Sequence, residues 1–145
     1  MSGFLLDTNV VSELVKPVAD ANVIGWMQSA DESLLYLSVL TLGEIRKGIT
    51  SLRDEARWMR LQSWLDSELI PRFEGRILHV DRQIADRWGR LSGDALLRGK
   101  ILPVTDALLA ATALHHDLTF VTRDIHQLAN AGVPCFNPWM PPLDR

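Results

Sequence analysis

A parallel α/β sheet covered by helices on both faces is the fold this sequence predicts. Three observations lead there. Short β-type apolar runs alternate with stretches of helical periodicity, acidic residues stand where several of those runs end, and 145 residues at 47% hydrophobic suffice for one domain with one sizeable core.

The elements follow in order. "FLL" reads as the first strand; it runs into Asp7, and "NVVSELV" continues with helical spacing. "LYLS" (Leu35 to Ser38) is the second strand and "VLTLGEIRKGITSL" its helix. Trp58, Leu61, Leu65 and Leu69 recur at helical spacing until Pro71, which is expected to stop that helix, so this region reads as an inserted helical hairpin. "RILHV" (Arg76 to Val80) precedes the helical "DRQIADRWGRL", and "DALLAATALHH" is a strong helical pattern. "TFVT" (Thr119 to Thr122) is the fourth strand before "RDIHQLANAG", "VPCF" is the last, and "NPWMPPLDR" is an irregular tail. With no repeat, low-complexity segment or linker, the expectation is a single domain spanning 1–145.

Composition narrows the setting. The lone Cys135 excludes an internal disulfide, and it gives no zinc pattern with four scattered histidines, which suits a reducing cytoplasm. The apolar stretch from Phe4 to Val15 is interrupted by Asp7 and Glu13 and has no basic lead, so neither an export signal nor a membrane span is expected. Net charge is -3, from 18 acids and 15 bases. If four acids hold cations, fourteen remain against fifteen bases, twelve of them arginine, whose planar fork suits phosphate.

Asp7, Glu44, Asp106 and Asp124 lie after strands or in first turns of helices, the positions that line the crevice of an open α/β sheet. Each has a capping alternative. "TLGE" is a capping box with Thr41 as N-cap, Asp124 can cap the last helix, and Asp106 favours a helix dipole. Ser, Thr or Asn would serve a cap as well, whereas a hard-cation site needs full carboxylates. Four in a row favour Asp7 as a metal ligand, with Asn9 taking the capping role.

"LLDTNVVSEL", "YLSVLTLGEIRKGI", "LPVTDALLAATALHHDLTFVTRD" and "FNPW" span nearly the whole chain and resemble the motifs of PIN-domain ribonucleases, in particular the VapC or FitB-like toxins of toxin-antitoxin pairs. The resemblance implies a sheet of order 3-2-1-4-5 and an active site of Asp7, Glu44, Asp106 and Asp124. It also implies a homodimer, a small antitoxin covering the groove, and a hetero-oligomer that reaches DNA through that antitoxin. One or two Mg²⁺ (or Mn²⁺) ions, held mainly by Asp7 and Asp106, would activate water against an RNA phosphodiester, leaving a 5′-phosphate and a 3′-hydroxyl. Glu44 and Asp124 would complete a second metal site or orient the water.

Thr8, Asn9, Thr105, Thr122 and Arg123 flank the acids as auxiliary candidates for a ligating water or a phosphate, with local turn and cap bonding as the alternative. His115 and His116 point about 100° apart on a helix end and suit its C-terminal dipole better than a shared metal. Trp64 falls beside the apolar stripe on a face with Arg53, Arg57 and Arg60, a candidate surface for a partner. Competing classes start from the same Asp7. A haloacid-dehalogenase-type phosphatase needs a second aspartate where Asn9 stands. A receiver-like module with Asp7 as phosphoryl acceptor needs a lysine near a late strand end, and Lys100 precedes the Asp106 helix.

Overall fold

The computed structural model describes residues 2–142 apart from Ala129. Met1 and residues 143–145, the ends of the predicted domain and of its tail, lie outside the described residues, as does Ala129 of the predicted last helix. Five strands, β1 (Phe4–Leu6), β2 (Leu35–Ser38), β3 (Ile77–Leu78), β4 (Thr119–Val121) and β5 (Cys135–Phe136), form one all-parallel sheet of order β3-β2-β1-β4-β5. Phe4 pairs with Leu35 on one side and Thr119 on the other, so β1 is the central strand. Just before it, a Cβ on Gly3 would stand 2.5 Å from the Leu34 carbonyl oxygen, which reserves that position for glycine.

Strand residues alternate between two cores, as the two-residue period requires. Leu6, Leu35, Leu37 and Val121 face one layer with α1 (Thr8–Glu13), α2 (Ala21–Ser29), α3 (Val39–Thr50) and α4 (Glu55–Trp64). Leu5 and Phe120 face the other, against Leu109, Ala110 and Ala113 of α7 (Val104–His115) and Leu91 of α6 (Arg82–Leu97). The alanines let α7 lie close to the sheet. Its end is a Schellman turn: Leu118 N–H donates to the Ala113 carbonyl (2.8 Å), with His116 as C-cap and Asp117 at φ 55°.

Four local expectations are corrected. Pro71 does not stop the hairpin helix; the chain passes through a π turn at Leu65–Leu69 into α5 (Ile70–Arg72), which ends at Phe73. Leu65, Leu69 and Phe73 are all buried at spacings of four, and each such step drifts about 40° on a regular helix. The wide turn absorbs that drift, and in it Ile70 N–H donates to the Leu65 carbonyl. Thr41 is not the N-cap of α3: β2 ends at Ser38, whose Oγ accepts from Leu40 N–H (3.0 Å), so the helix starts earlier and Thr41 is buried inside it. Asn9 does not cap α1 either, because Asp7 does. The segment after Asp124 is a short 3₁₀ helix, Ile125–Leu128. No helix among the described residues is long and apolar enough to cross a membrane.

Candidate active site

β1 delivers Asp7 to the carboxyl edge of the sheet, where Asp7 N–H donates to the Val121 carbonyl at the end of the neighbouring β4 (2.9 Å). Only 7% of the residue is exposed. Its Oδ1 accepts from Thr8 N–H (2.7 Å), a capping bond, and its Oδ2 accepts from the Thr122 hydroxyl (2.7 Å). Cap and site position coincide in one carboxylate. Thr122 Oγ1 in turn accepts from Asp124 N–H (3.1 Å), so a single buried hydroxyl joins two of the predicted acids.

With Thr41 no longer a cap, Glu44 stands in the second turn of α3 and has no capping duty. The Thr8 hydroxyl donates to Glu44 Oε1 and lies 3.3 Å from Thr41 Oγ1. Asp106 sits half-buried in the first turn of α7, beside a half-buried Thr105, and Asp124 is exposed after β4.

Electrostatics tie the four together. Burial pushes the Asp7 carboxyl up to about 6; the Thr122 and Thr8 hydrogen bonds oppose this, while the charges of Asp106 and Glu44 add to it. The Asp106 carboxyl is also raised, by burial first, then by Glu44 and by Asp124. Among the described residues none of the four forms an ion pair with a basic side chain. Nor do any three acidic, histidine or cysteine side chains there already stand as a metal would hold them. The acids are thus close enough to repel, and uncompensated.

Of the remaining candidates, Arg123 is exposed and its guanidinium lies 5.0 Å from the centre of the Trp139 ring. Trp139 is fixed by Asn137 Oδ1, which accepts from its N–H (2.9 Å), and by Asn22 Nδ2, which donates to its carbonyl (3.0 Å). "FNPW" therefore clasps the turn that carries Asp124. Asn9 Oδ1 is buried with no hydrogen-bond partner among the described residues.

A groove of ≈ 610 Å³ opens from Thr8 and Glu44 between α1, α3 and α4, lined by Ile45, Ile49, Leu61 and Trp64 with Lys16, Arg57 and Arg60. Trp64 packs against the core and lines this groove at once. Arg53 is exposed ahead of the Asp54 N-cap and is not part of the lining, so the predicted cluster is reduced to three. Lys16 and Trp139 lie outside the predicted site, and Thr41 is predicted only as a cap; Thr41 and Trp139 both fall within the motifs quoted above.

A parallel 3-2-1-4-5 sheet carrying acids at its carboxyl edge is the architecture expected of a PIN domain. Residues 4–133 match the PIN domain family model, and the chain belongs to that family. It is 37% identical over 135 residues to Toxin FitB of Neisseria gonorrhoeae, covering 93% of this chain and 97% of that one. Similarity to VapC ribonuclease Y4jK of Sinorhizobium fredii is 35% over 137 residues, covering 94% and 98%. The crystal structure of FitAcB from Neisseria gonorrhoeae superposes with a TM-score of 0.91 at 36% identity, covering 95% of this chain and 99% of that one. This membership sets the phosphatase and receiver readings aside.

Proposed function

We propose that this chain is a metal-dependent endoribonuclease, a single PIN domain acting as the toxin of a toxin-antitoxin pair in the cytoplasm. The observation that carries the reading is the set of four carboxylates at the sheet edge of a PIN domain, unpaired with any base among the described residues, in which Glu44 acts on both Asp7 and Asp106, Asp106 acts on Asp7, and Asp124 acts on Asp106. A donor set made only of carboxylate oxygen fits a hard divalent cation, Mg²⁺ or Mn²⁺. Asp7 and Asp106 would hold it, with Glu44 and Asp124 completing the shell or orienting water. When bound, the cation supplies charge neutralisation at the scissile phosphate and a more acidic water.

The protein's own contribution is placement. Thr122 and Thr8 N–H hold both oxygens of Asp7, leaving each with a further lone pair. The Thr8 hydroxyl steadies Glu44, and the Arg123–Trp139 stack with Thr122 orients the turn bearing Asp124.

The relatives named as toxin and ribonuclease support the activity. The solved FitAB complex bound to a DNA fragment supports an antitoxin that carries such a toxin to DNA. For the antitoxin, the apolar groove at Trp64 is the docking surface, from which a basic side chain can reach Glu44. For the homodimer, Leu96, Leu97, Ile101 and Val104 expose an apolar patch beside Asp106, Leu97 and Ile101 being 88% and 86% exposed.

Incubation with total cellular RNA in Mg²⁺, with end mapping, tests the activity. Products with 5′-phosphates that disappear in EDTA are expected, and undiminished cleavage by metal-free protein refutes the reading.

A further inference from the structure

We infer that the groove between the N-terminal half of α6 and the C-terminal end of α7 is a second nucleic-acid site, one that grips the phosphodiester backbone of bound RNA away from the acids. It encloses ≈ 630 Å³ and is lined by Arg82, Gln83, Asp86, Arg87, Arg90 and His115. Arg82, Asp86 and Arg90 recur every four residues on one stripe of α6, with Gln83 and Arg87 on the next.

Charge is the first argument. Asp86 pairs with Arg90 (2.9 Å), which leaves Arg82 and Arg87 with no ion pair among the described residues. The nearby Asp81 accepts from Ile84 N–H (2.9 Å) as the N-cap of α6, while its charge also acts on His115 and His116. Three arginines against one lining carboxylate make this a positive groove in a chain of net charge -3.

Lining is the second argument, and it selects the occupant. The groove at Trp64 presents isoleucine, leucine and tryptophan, the surface a folded partner's apolar side chains need. Among the described residues the α6–α7 groove is lined by arginine, glutamine, aspartate and histidine, so its apolar surface comes from the stems of polar side chains. Guanidinium forks on polar side-chain stems, with no leucine, isoleucine or tryptophan among the lining residues, suit phosphate oxygens better than the core of a protein interface.

Reach is the third. Asp106 and His115 stand in the first and last turns of α7, about 14 Å apart at ~1.5 Å per residue. That is about four nucleotides of a stacked strand at ~3.4 Å each. A strand cut at the acids therefore extends to Arg82 and Arg87 only if it is longer than a tetranucleotide. A protein in the Trp64 groove would leave this second site open.

The inference rests on the ribonuclease reading for its choice of RNA, but its test does not need cleavage. In EDTA, on an Asp7→Asn background, a labelled 20-nucleotide single-stranded RNA is titrated at several salt concentrations. Arg82→Ala with Arg87→Ala should weaken binding about 10-fold and flatten the log–log salt slope by about 1.4, two lost contacts at ~0.7 each. Arg82→Lys with Arg87→Lys should retain the slope, and a tetranucleotide should bind all forms alike. Equal affinity and equal slope for the 20-mer in the alanine variant overturn the inference, as does loss of affinity for the tetranucleotide as well. If the parent chain cleaves no RNA yet the alanine variant loses 20-mer affinity as stated, the nuclease reading fails and the second site stands.

Discussion

The two ends of α1 each bury a carboxylate, and they do so in opposite ways. Asp7 is 7% exposed and Glu13 4%. Glu13 Oε1 lies 2.8 Å from Lys16 Nζ, and its Oε2 accepts from Asp20 N–H (2.8 Å). The Lys16 bond holds the Glu13 carboxyl below its ordinary 4.5 against the cost of burial, with the Asp20 N–H and the charge of Arg123 helping. Asp7 has two hydrogen bonds but no basic side chain paired with it among the described residues, and is pushed up to about 6. Burial alone does not separate these two acids; the resident counter-charge does, because a carboxylate already neutralised by a side chain has less to gain from an added cation.

The sharpest way to break this contrast is to neutralise each acid in turn. Asp7→Asn keeps a side chain that can cap α1, and should cut RNA cleavage about 100-fold or more, equivalent to about 3 kcal/mol of transition-state stabilisation. Glu13→Gln should change the rate by less than about 3-fold. A folded Asp7→Asn protein with normal activity would end the distinction.

Stability should show the same asymmetry with opposite pH signs. The folded state holds the Asp7 proton more tightly than the unfolded chain does, so in metal-free protein Asp7 costs nothing below its ordinary 3.8. Its cost grows as pH rises to about 6, reaching about 3 kcal/mol. Asp7→Asn should therefore raise the melting temperature of metal-free protein at pH 7.5 and leave it unchanged at pH 3.5. Thermal melts at both pH values, with and without Mg²⁺, measure this.

A smaller effect is expected at the shared hydroxyl. Thr122→Val removes the donor that lowers the Asp7 carboxyl and the acceptor for Asp124 N–H. The acidic limb of the pH–rate profile should move upward, and activity at pH 7 should fall about 10-fold, or ~1.4 kcal/mol. The smallest is Glu13→Gln, which should destabilise by about 1 kcal/mol at pH 7 through its lost charge-assisted bonds. Because the folded Glu13 value lies below 4.5, that loss should shrink as pH falls through it. Denaturant titrations at pH 7 and pH 3 check it.

The sequence was most legible where local chemistry and tertiary role agree. β1 and β2 fall on the residues their apolar runs predict, and Asp106 lies in the first turn of its helix. Legibility failed where a distant partner decides. β2 ends at Ser38 as its run predicts, but Ser38 and Thr41 are both hydroxyls able to cap α3, and nothing local says that Ser38 does so, which is what frees Glu44. β4 lying alongside fixes the Asp7 N–H on the Val121 carbonyl, and no local pattern marks Asn9 Oδ1 as buried. α2, absent from the predicted elements, is legible in the sequence all the same: Asp20 caps it and Val23, Trp26 and Met27 face the core at helical spacing. Trp139 acquires its role from Arg123, far away in sequence.

The π turn at Leu65–Leu69 makes part of this surface depend on a residue count. Deleting one exposed residue there, such as Ser67, would close the wide turn into a regular one and rotate the preceding helix by about 100° relative to the buried Phe73. Trp58, Leu61 and Trp64 would swing off the core while Arg57 and Arg60 left the groove. A length change elsewhere on the surface adds or removes a loop residue; here it re-indexes a whole wall of the Trp64 groove, the docking surface proposed above. Relatives that differ by one residue in this turn should accordingly differ in which partner they accept, even with every groove residue unchanged.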